Sequence, residues 1–377
     1  MKNNLNLAFL FGTRPELIKI APVYKDFIKN TRHQGMLIST GQHKEQLEEN
    51  FKIFKIEPDF DLKLMKKKQQ WTSFLMDSIT KIESKLREVK PDCLFVQGDT
   101  ISALSGAIVS NYLKIPLAHI EAGLRTHCED QPFPEEINRV LIAQMANFNF
   151  APTQIAKNNL LEERVPAEKI YLTGNTVVDS VHYVKVNKCK NYLENEKVLI
   201  TLHRQDSIPF LKGMVKKIAN FATHNKNLEF VFPIHLNPSI RNIVKPVLGS
   251  LKNISIIEQT NYENLLRIMQ KSMFIISDSG GLQEEAATLN IPLAIARDFT
   301  EREEGLDDKI SVLLGRKEEI FEKNLNNFFN KIRKKQIHFN ENIYGDGHAS
   351  KRITNIINES YGYKTVHKDI NPEYKNL

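Results

Sequence analysis

The sequence predicts an α/β protein made of two Rossmann-like, doubly wound domains that face a cleft. Three observations predict it. Short apolar runs alternate with helical patterns along the chain, as parallel strands alternate with their crossover helices. The alternation halts once, in the polar stretch 188–196, and then starts again. Apolar runs in both series end in Gly, Asp, Glu, Ser, His or Arg, residue types that serve ligands at the carboxyl ends of parallel strands.

The elements follow in order. Leu5–Phe11 reads as a strand, and Gly12-Thr-Arg-Pro-Glu16 turns into a helix with Pro15 near its first turn. Gly35–Thr40, Asp92–Gln97, Ile115–Ile120, Phe148–Ala151 and Ile170–Thr173 are the remaining strands of the first series. A helical pattern around 173–197 fades into polar residues, which places the linker there. The second series has strands at Lys197–His203, Leu228–Pro233, Ile254–Ile257, Met273–Ser277 and Pro292–Ala296, with helices such as Tyr262–Ser272 and Gly281–Leu289 between them. Domains are expected at 1–180 and 181–350. A C-terminal segment, 351–377, should pack back on the first domain through a helix near Ser350–Ser360 and fray from about Lys364.

Composition narrows the classes. The 377 residues are 41% hydrophobic and 26% charged, ordinary values for a globular chain. A net charge of +7 is mild at this length and its positives are scattered, so nucleic-acid binding is not expected. Cys93, Cys128 and Cys189 make neither a disulfide framework nor a CxxC metal pair. No apolar run approaches the roughly 20 residues of a membrane helix. The expectation is a soluble, cytoplasmic protein.

Several constellations carry chemistry. His119-Ile-Glu-Ala-Gly-Leu-Arg-Thr126 ends a strand in a carboxylate, and Pro132-Phe-Pro-Glu-Glu-Ile-Asn-Arg139 follows. Asp99, just after Gly98, either faces the cleft or caps the next helix. Glu121, Glu135 and Glu136 add carboxylates, although Glu135 and Glu136 also suit a helix's first turn. Arg14 at the first turn and Lys19 one turn later suit a diphosphate, or mark a plain turn with a solvated Lys. Ser277-Asp-Ser-Gly-Gly-Leu-Gln-Glu-Glu-Ala286 follows a strand and opens a helix. Its small residues Ser279, Gly280 and Gly281 allow a phosphate to approach the helix N-terminus, and Glu284 or Glu285 can accept from ribose hydroxyls. The segment is not GxGxxG and the chain has no Walker A sequence, so neither NAD nor ATP is expected. His203 and His235 end adjacent strands. No spacing completes a metal ligand set around them, so they either bind phosphate or sugar or cap the core.

Taken together, these segments resemble the non-hydrolysing bacterial branch of the UDP-N-acetylglucosamine 2-epimerase family. The resemblance runs in order from Phe11-Gly-Thr-Arg-Pro-Glu16 through Gln42-His43, Gln97-Gly-Asp-Thr100, His119–Arg125, Pro134–Arg139, Thr173-Gly-Asn-Thr176, His203-Arg204, His235-Leu-Asn-Pro238, Ser277–Ala286 and Thr300-Glu-Arg302 to Tyr344-Gly-Asp-Gly347. It implies a glycosyltransferase-B-like fold and a homodimer. It implies inversion at C2 of a UDP-sugar, between UDP-GlcNAc and UDP-ManNAc, without NAD or metal.

By the same resemblance Asp99, Glu121 and Glu135 are catalytic carboxylates, and Lys19 and His203 support them. Arg14, Arg139, His235, Ser279, Gly280, Gly281, Glu285 and Arg302 bind the UDP-sugar, with Glu285 on the ribose. Some members carry a second, activating UDP-GlcNAc site. Gln42, Gln46, Arg204 and His235 match it, and Lys68 stands where an Arg is common.

Two segments depart from the common pattern. Gly-His-Arg-Arg-Glu-Ser is here Leu202-His-Arg-Gln-Asp-Ser207, and Glu-Arg-Pro-Glu is here Glu301-Arg-Glu-Glu304. The second bears on the sugar, so a modified UDP-HexNAc is one alternative. A hydrolysing 2-epimerase and a retaining glycosyltransferase are others. An acceptor-dependent transferase would not need three strand-end carboxylates in its first domain, and an idle UDP-sugar sensor would not keep them.

Overall fold

Both halves of the chain build a parallel sheet, seven-stranded and six-stranded, with the same strand order over the six strands they share. The computed structural model describes residues 4–41, 44–65, 69–307, 310–339 and 343–374. The first sheet contains β1 (Asn6–Phe11), β2 (Gln34–Ser39), β3 (Phe60–Asp61), β4 (Cys93–Gln97), β5 (Leu117–Ile120), β6 (Phe148–Ala151) and β7 (Ile170–Leu172). Its order is β3-β2-β1-β4-β5-β6-β7, and every pairing is parallel. The second contains β8 (Lys197–Thr201), β9 (Glu229–Ile234), β10 (Ile254–Glu258), β11 (Ser272–Ser277), β12 (Leu293–Ile295) and β13 (Ser311–Leu313). Its order is β10-β9-β8-β11-β12-β13, again all parallel. Each sheet therefore reverses its direction of winding once, between β1 and β4 and between β8 and β11.

The strands hold because they are buried on both faces. Leu7 through Phe11 have no exposed surface. Phe9 stacks on Phe95 with ring centroids 4.5 Å apart and meets Tyr24 edge-on at 5.5 Å. In the second half Phe221, Phe274 and Phe329 play the same part. Each such ring stabilises the fold by about 1.5–3 kcal/mol relative to an exposed one.

The chain divides into two units, Met1–Val184 with Tyr344–Leu377, and Lys185–Ile343. The chain thus rejoins the first unit at Tyr344, ahead of the 351 boundary expected from the helical pattern near Ser350–Ser360. Two polar contacts account for this. The Asn175 N–H donates to the Tyr344 carbonyl at 2.7 Å. The buried Asp179 carboxylate accepts the N–H groups of Ala349 and Ser350 at 3.2 and 2.9 Å, at the start of the helix Ala349–Ser360. That helix packs on the helix Arg14–Asn30.

The tail beyond Lys364 does not fray up to residue 374. The Tyr374 side chain is buried, and its N–H donates to the Leu172 carbonyl at 2.9 Å. His367 meets the Asp26 carboxylate at 2.8 Å, and Arg352 donates to the Asn371 carbonyl at 2.9 Å. Anchoring by single aromatic and cationic side chains leaves no periodic trace in the sequence.

Candidate active site

In an open parallel sheet, ligands collect at the carboxyl edge where the winding reverses. In the first unit that edge carries Gly12–Arg14 after β1, Gly98–Thr100 after β4 and Glu121 after β5. Glu121 has a left-handed backbone, φ 66°, which is costly for a residue with a side chain. Gly123 follows with φ +91°, and a Cβ there would lie 2.1 Å from the Ala156 carbonyl oxygen. Only glycine lets this turn pack on the helix Gln154–Glu162.

The Glu121 carboxylate is buried among donors. Lys19 pairs with it from the helix Arg14–Asn30. The Gln97 amide donates to its other oxygen, and the Asn175 amide donates at 2.8 Å. Lys19 lies within the structure rather than in solvent, with its side chain 5% exposed.

Asp99 is gripped along its length. Arg139 donates to the carboxylate through Nη2, and through Nε at 3.0 Å. Asn138 donates to the Asp99 carbonyl at 2.8 Å. Asp99 does not cap the following helix; Thr100 does, accepting the Ala103 N–H at 3.1 Å. Glu136 holds the other side of Arg139 at 3.0 Å and accepts the N–H groups of Thr126 and His127 at 2.9 and 3.1 Å. That makes Glu136 a support for the loop. Its half-buried neighbour Glu135 opens the helix Glu135–Met145. Arg125 forks onto Glu163 with two 2.6 Å bonds and serves the turn instead of the strand edge.

Sequence reasoning did not single out His119, Glu16, Gln97 or Asn175. His119, wholly buried on β5, bonds the Gly98 carbonyl through Nε2 at 2.8 Å. Burial pushes its pKa from 6.5 down to about 4, so the ring is neutral and Nε2 carries the donated proton. Glu16 is buried too and accepts four hydrogen bonds. The signal for Glu16 was available, since Thr13-Arg-Pro-Glu16 is a capping-box pattern.

The second unit repeats the arrangement at the reversal between β8 and β11. The fully buried Asp278 carboxylate accepts the His203 N–H at 3.0 Å and the Arg204 N–H at 3.0 Å. These bonds take both amides off the ladder, which is why β8 ends at Thr201 and not at His203 as expected. The rings of His203 and His235 stack, with centroids 5.8 Å apart. Beyond Asp278 the Ser279 N–H bonds the Ser277 hydroxyl at 3.0 Å, and Gly280-Gly281 lead into the helix Gly281–Thr288. Glu285 is buried on that helix.

Gly280 lies against the segment after β12. A Cβ on it would come within 2.6 Å of Glu301 Oε1 and 2.9 Å of Arg302 Nη1. Arg302 pairs with Glu301 and, at 3.2 Å, with the fully buried Glu284. Arg297 pairs with Glu301 at 2.9 Å. Burial lowers the Arg297 pKa, and the nearby Arg204 and Arg302 charges lower it further against the pull of Glu301. The edge thus brings several guanidinium groups together, with Arg297 and Arg302 already paired to the carboxylates of Glu301 and Glu284. Arg204 also pairs with Asp206 at 2.9 Å. Gln42 and Lys68 lie outside the described residues, as does the Gln46 side chain. Among the described residues no group of three or more His, Cys, Asp and Glu side chains is placed to hold a metal ion.

Residues 26–358 match the UDP-N-acetylglucosamine 2-epimerase family. The chain belongs to that family. A UDP-N-acetylglucosamine 2-epimerase from Neisseria meningitidis is 37% identical, over 92% of this chain and 98% of its own. One from Bacillus subtilis is 34% identical, over 97% and 98%. The crystal structure of the Neisseria meningitidis UDP-GlcNAc 2-epimerase bound to UDP-GlcNAc superposes with a TM-score of 0.88, at 35% identity, covering 94% of this chain and all of that one.

Family membership makes the protein an isomerase, with the two parallel-sheet units of the glycosyltransferase-B type. No helix among the described residues is long and apolar enough to cross a membrane. Of the two departures from the common family pattern, Glu303, which replaces the usual Pro, points to solvent, while Glu304 beside it is buried.

Proposed function

We propose that the protein is a non-hydrolysing UDP-GlcNAc 2-epimerase that interconverts UDP-GlcNAc and UDP-ManNAc, as a homodimer in the cytoplasm, for surface polysaccharide precursors. It uses neither NAD nor metal. The observation that carries this reading is the intact set at the first sheet's edge, where Asp99 and Glu121 are each held by a cation, Arg139 and Lys19. The Neisseria meningitidis relative, solved with UDP-GlcNAc bound, supports the substrate.

The chemistry follows from the substrate. No carbonyl activates the hydrogen at C2, so direct deprotonation is slow. Breaking the C1–O bond first sends the electron pair out with UDP and leaves oxocarbenium character at C1, which acidifies C2–H. A carboxylate takes that proton, and the C1–C2 double bond of 2-acetamidoglucal forms. Protonation of C2 from the opposite face and return of a UDP oxygen to C1 give the epimer. The reaction needs acid/base groups for both faces of the ring and cationic stabilisation of the departing diphosphate.

Asp99, Glu121 and Glu135 supply the first, with Lys19 and His203 supporting. Arg14, Arg302 and His235 supply the second, with Ser279, Gly280 and Gly281 at the helix N-terminus offering the diphosphate backbone N–H groups, and Glu285 holds the ribose. Gln42, Gln46, Lys68 and Arg204 are proposed for an activating UDP-GlcNAc site. Proton NMR with UDP-GlcNAc in D2O tests the reading. UDP-ManNAc deuterated at C2 is the expected product. Free ManNAc with UDP would instead mean hydrolysis, and no change would mean a modified sugar.

A further inference from the structure

The Glu16 carboxylate does more than cap its helix. A capping box needs one side-chain oxygen to accept the N-cap N–H. Oε2 fills that need, accepting from Gly12 N at 3.0 Å, Thr13 N at 2.7 Å and the Thr13 hydroxyl at 2.7 Å. Oε1 reaches across the sheet edge and accepts the Thr100 hydroxyl at 2.7 Å. One carboxylate therefore joins the exit of β1 to the exit of β4, the two strands that flank the reversal. Arg14 is the next residue on the first loop, and Asp99 is the residue before Thr100.

We propose that Glu16 is a positioning residue for the epimerisation. It straps the two exit loops together and so fixes the spacing between Arg14 and Asp99. The inference rests on the function proposed above.

Two further observations support it. A helix-capping Glu ordinarily stays in water, yet Glu16 is 1% exposed, and burial pushes its pKa from 4.5 up to about 7. A Gln would cap as well without that penalty, so capping alone does not explain a buried carboxylate. The second sheet has the same device, because Asp278 at the exit of β11 holds the two amides at the exit of β8. The Gly98-Asp99-Thr100 loop is then fixed at all three residues, by His119, by Asn138 and Arg139, and by Glu16.

The test compares Glu16→Asp, which keeps the charge but is too short to reach both loops, Thr100→Val, Thr100→Ser and the double variant Glu16→Asp/Thr100→Val. Steady-state kcat and KM for UDP-GlcNAc and deuterium entry at C2 are measured per folded protein by circular dichroism. Glu16→Asp and Thr100→Val should each lower kcat by about 10–100-fold, the range for a sub-ångström to ångström misplacement. KM should stay within about threefold, Thr100→Ser should restore the parental rate, and the double variant should be no slower than the slower single one. A kcat within about threefold of the parent in both single variants, or a loss confined to KM, overturns the proposal while leaving the epimerase reading intact. A parent protein that shows no C2 exchange overturns both.

Discussion

Lys19 and Glu121, separated by 102 residues, meet as a buried ion pair at the carboxyl edge of the first sheet. Taking two charges out of water costs several kcal/mol per ion before their attraction is counted. The left-handed backbone of Glu121 adds about 1–3 kcal/mol of strain. A fold that needed only stability would place apolar residues here. The expense is understandable if the carboxylate and the ammonium must both be held where a sugar reacts.

Removing one partner should therefore hurt more than removing both charges. Lys19→Met leaves Glu121 buried without its cation and should destabilise by about 3–5 kcal/mol. Lys19→Met/Glu121→Gln should recover most of that loss, because the new amide's oxygen still accepts from Asn175 and its NH2 meets Gln97, which can turn its own amide oxygen to accept. Turnover should stay lost in both. Urea titration with C2-exchange rates checks this, and parental turnover in the double variant would falsify a role for the pair in the chemistry.

Asp99→Asn, Glu121→Gln and Glu135→Gln should each fold and each lose most turnover, on the order of 10²–10⁴-fold, as expected for acid/base groups. In Asp99→Asn the side chain can still accept from Arg139, so the loop should keep its place and the loss should fall on kcat. Two variants of the three with near-parental rates would remove the carboxylates from the mechanism.

The glycines of the second unit separate packing from ligand binding. Gly281 has nothing within 4 Å of an added Cβ, so Gly281→Ala should fold as well as the parent. A tenfold or greater loss of UDP affinity in calorimetry would then report a ligand at that position (about 1.4 kcal/mol). Gly280→Ala should instead displace Glu301 and Arg302 and lower both stability and UDP affinity. Glu285→Ala should weaken UDP with little change in stability, and an unchanged affinity would end its assignment to the ribose.

Much of this was legible because strand ends announce themselves. Gln97-Gly-Asp-Thr100 and His119-Ile-Glu121 are apolar runs that stop on polar residues, and the structure sets both at the edge where winding reverses. What escaped was of two kinds. β3 has two residues, too few for a period-2 pattern to register. The supporting groups were hidden for another reason. Glu16 meets Thr100 and Asn175 meets Glu121 only after the strand order is known, so no local pattern could pair them. The end of β8 depended likewise on Asp278, which follows a different strand, β11.

Stability against pH gives a test of the buried groups in which the signs oppose. The His119 pKa is depressed from 6.5 to about 4, so the unfolded chain binds the extra proton first. Its contribution is present above pH 6.5 and is lost as pH falls towards 4. The pKa of Asp179 is raised by burial from 3.8 to about 6, and its contribution is present below pH 3.8 and is lost as pH rises through 6. Between these limits the two partly cancel, so the parent curve alone says little. Single substitutions separate them. His119→Gln keeps a donor for the Gly98 carbonyl and removes the titration. The parent's stability relative to that variant should fall by roughly 3 kcal/mol as pH drops from 6.5 to 4. Against Asp179→Asn the parent should instead lose ground as pH rises from 4 to 6. Urea melts at half-unit steps read both differences. A flat His119→Gln difference across the range would mean that the ring protonates freely in the folded protein, and the grip on Gly98 would then need another explanation.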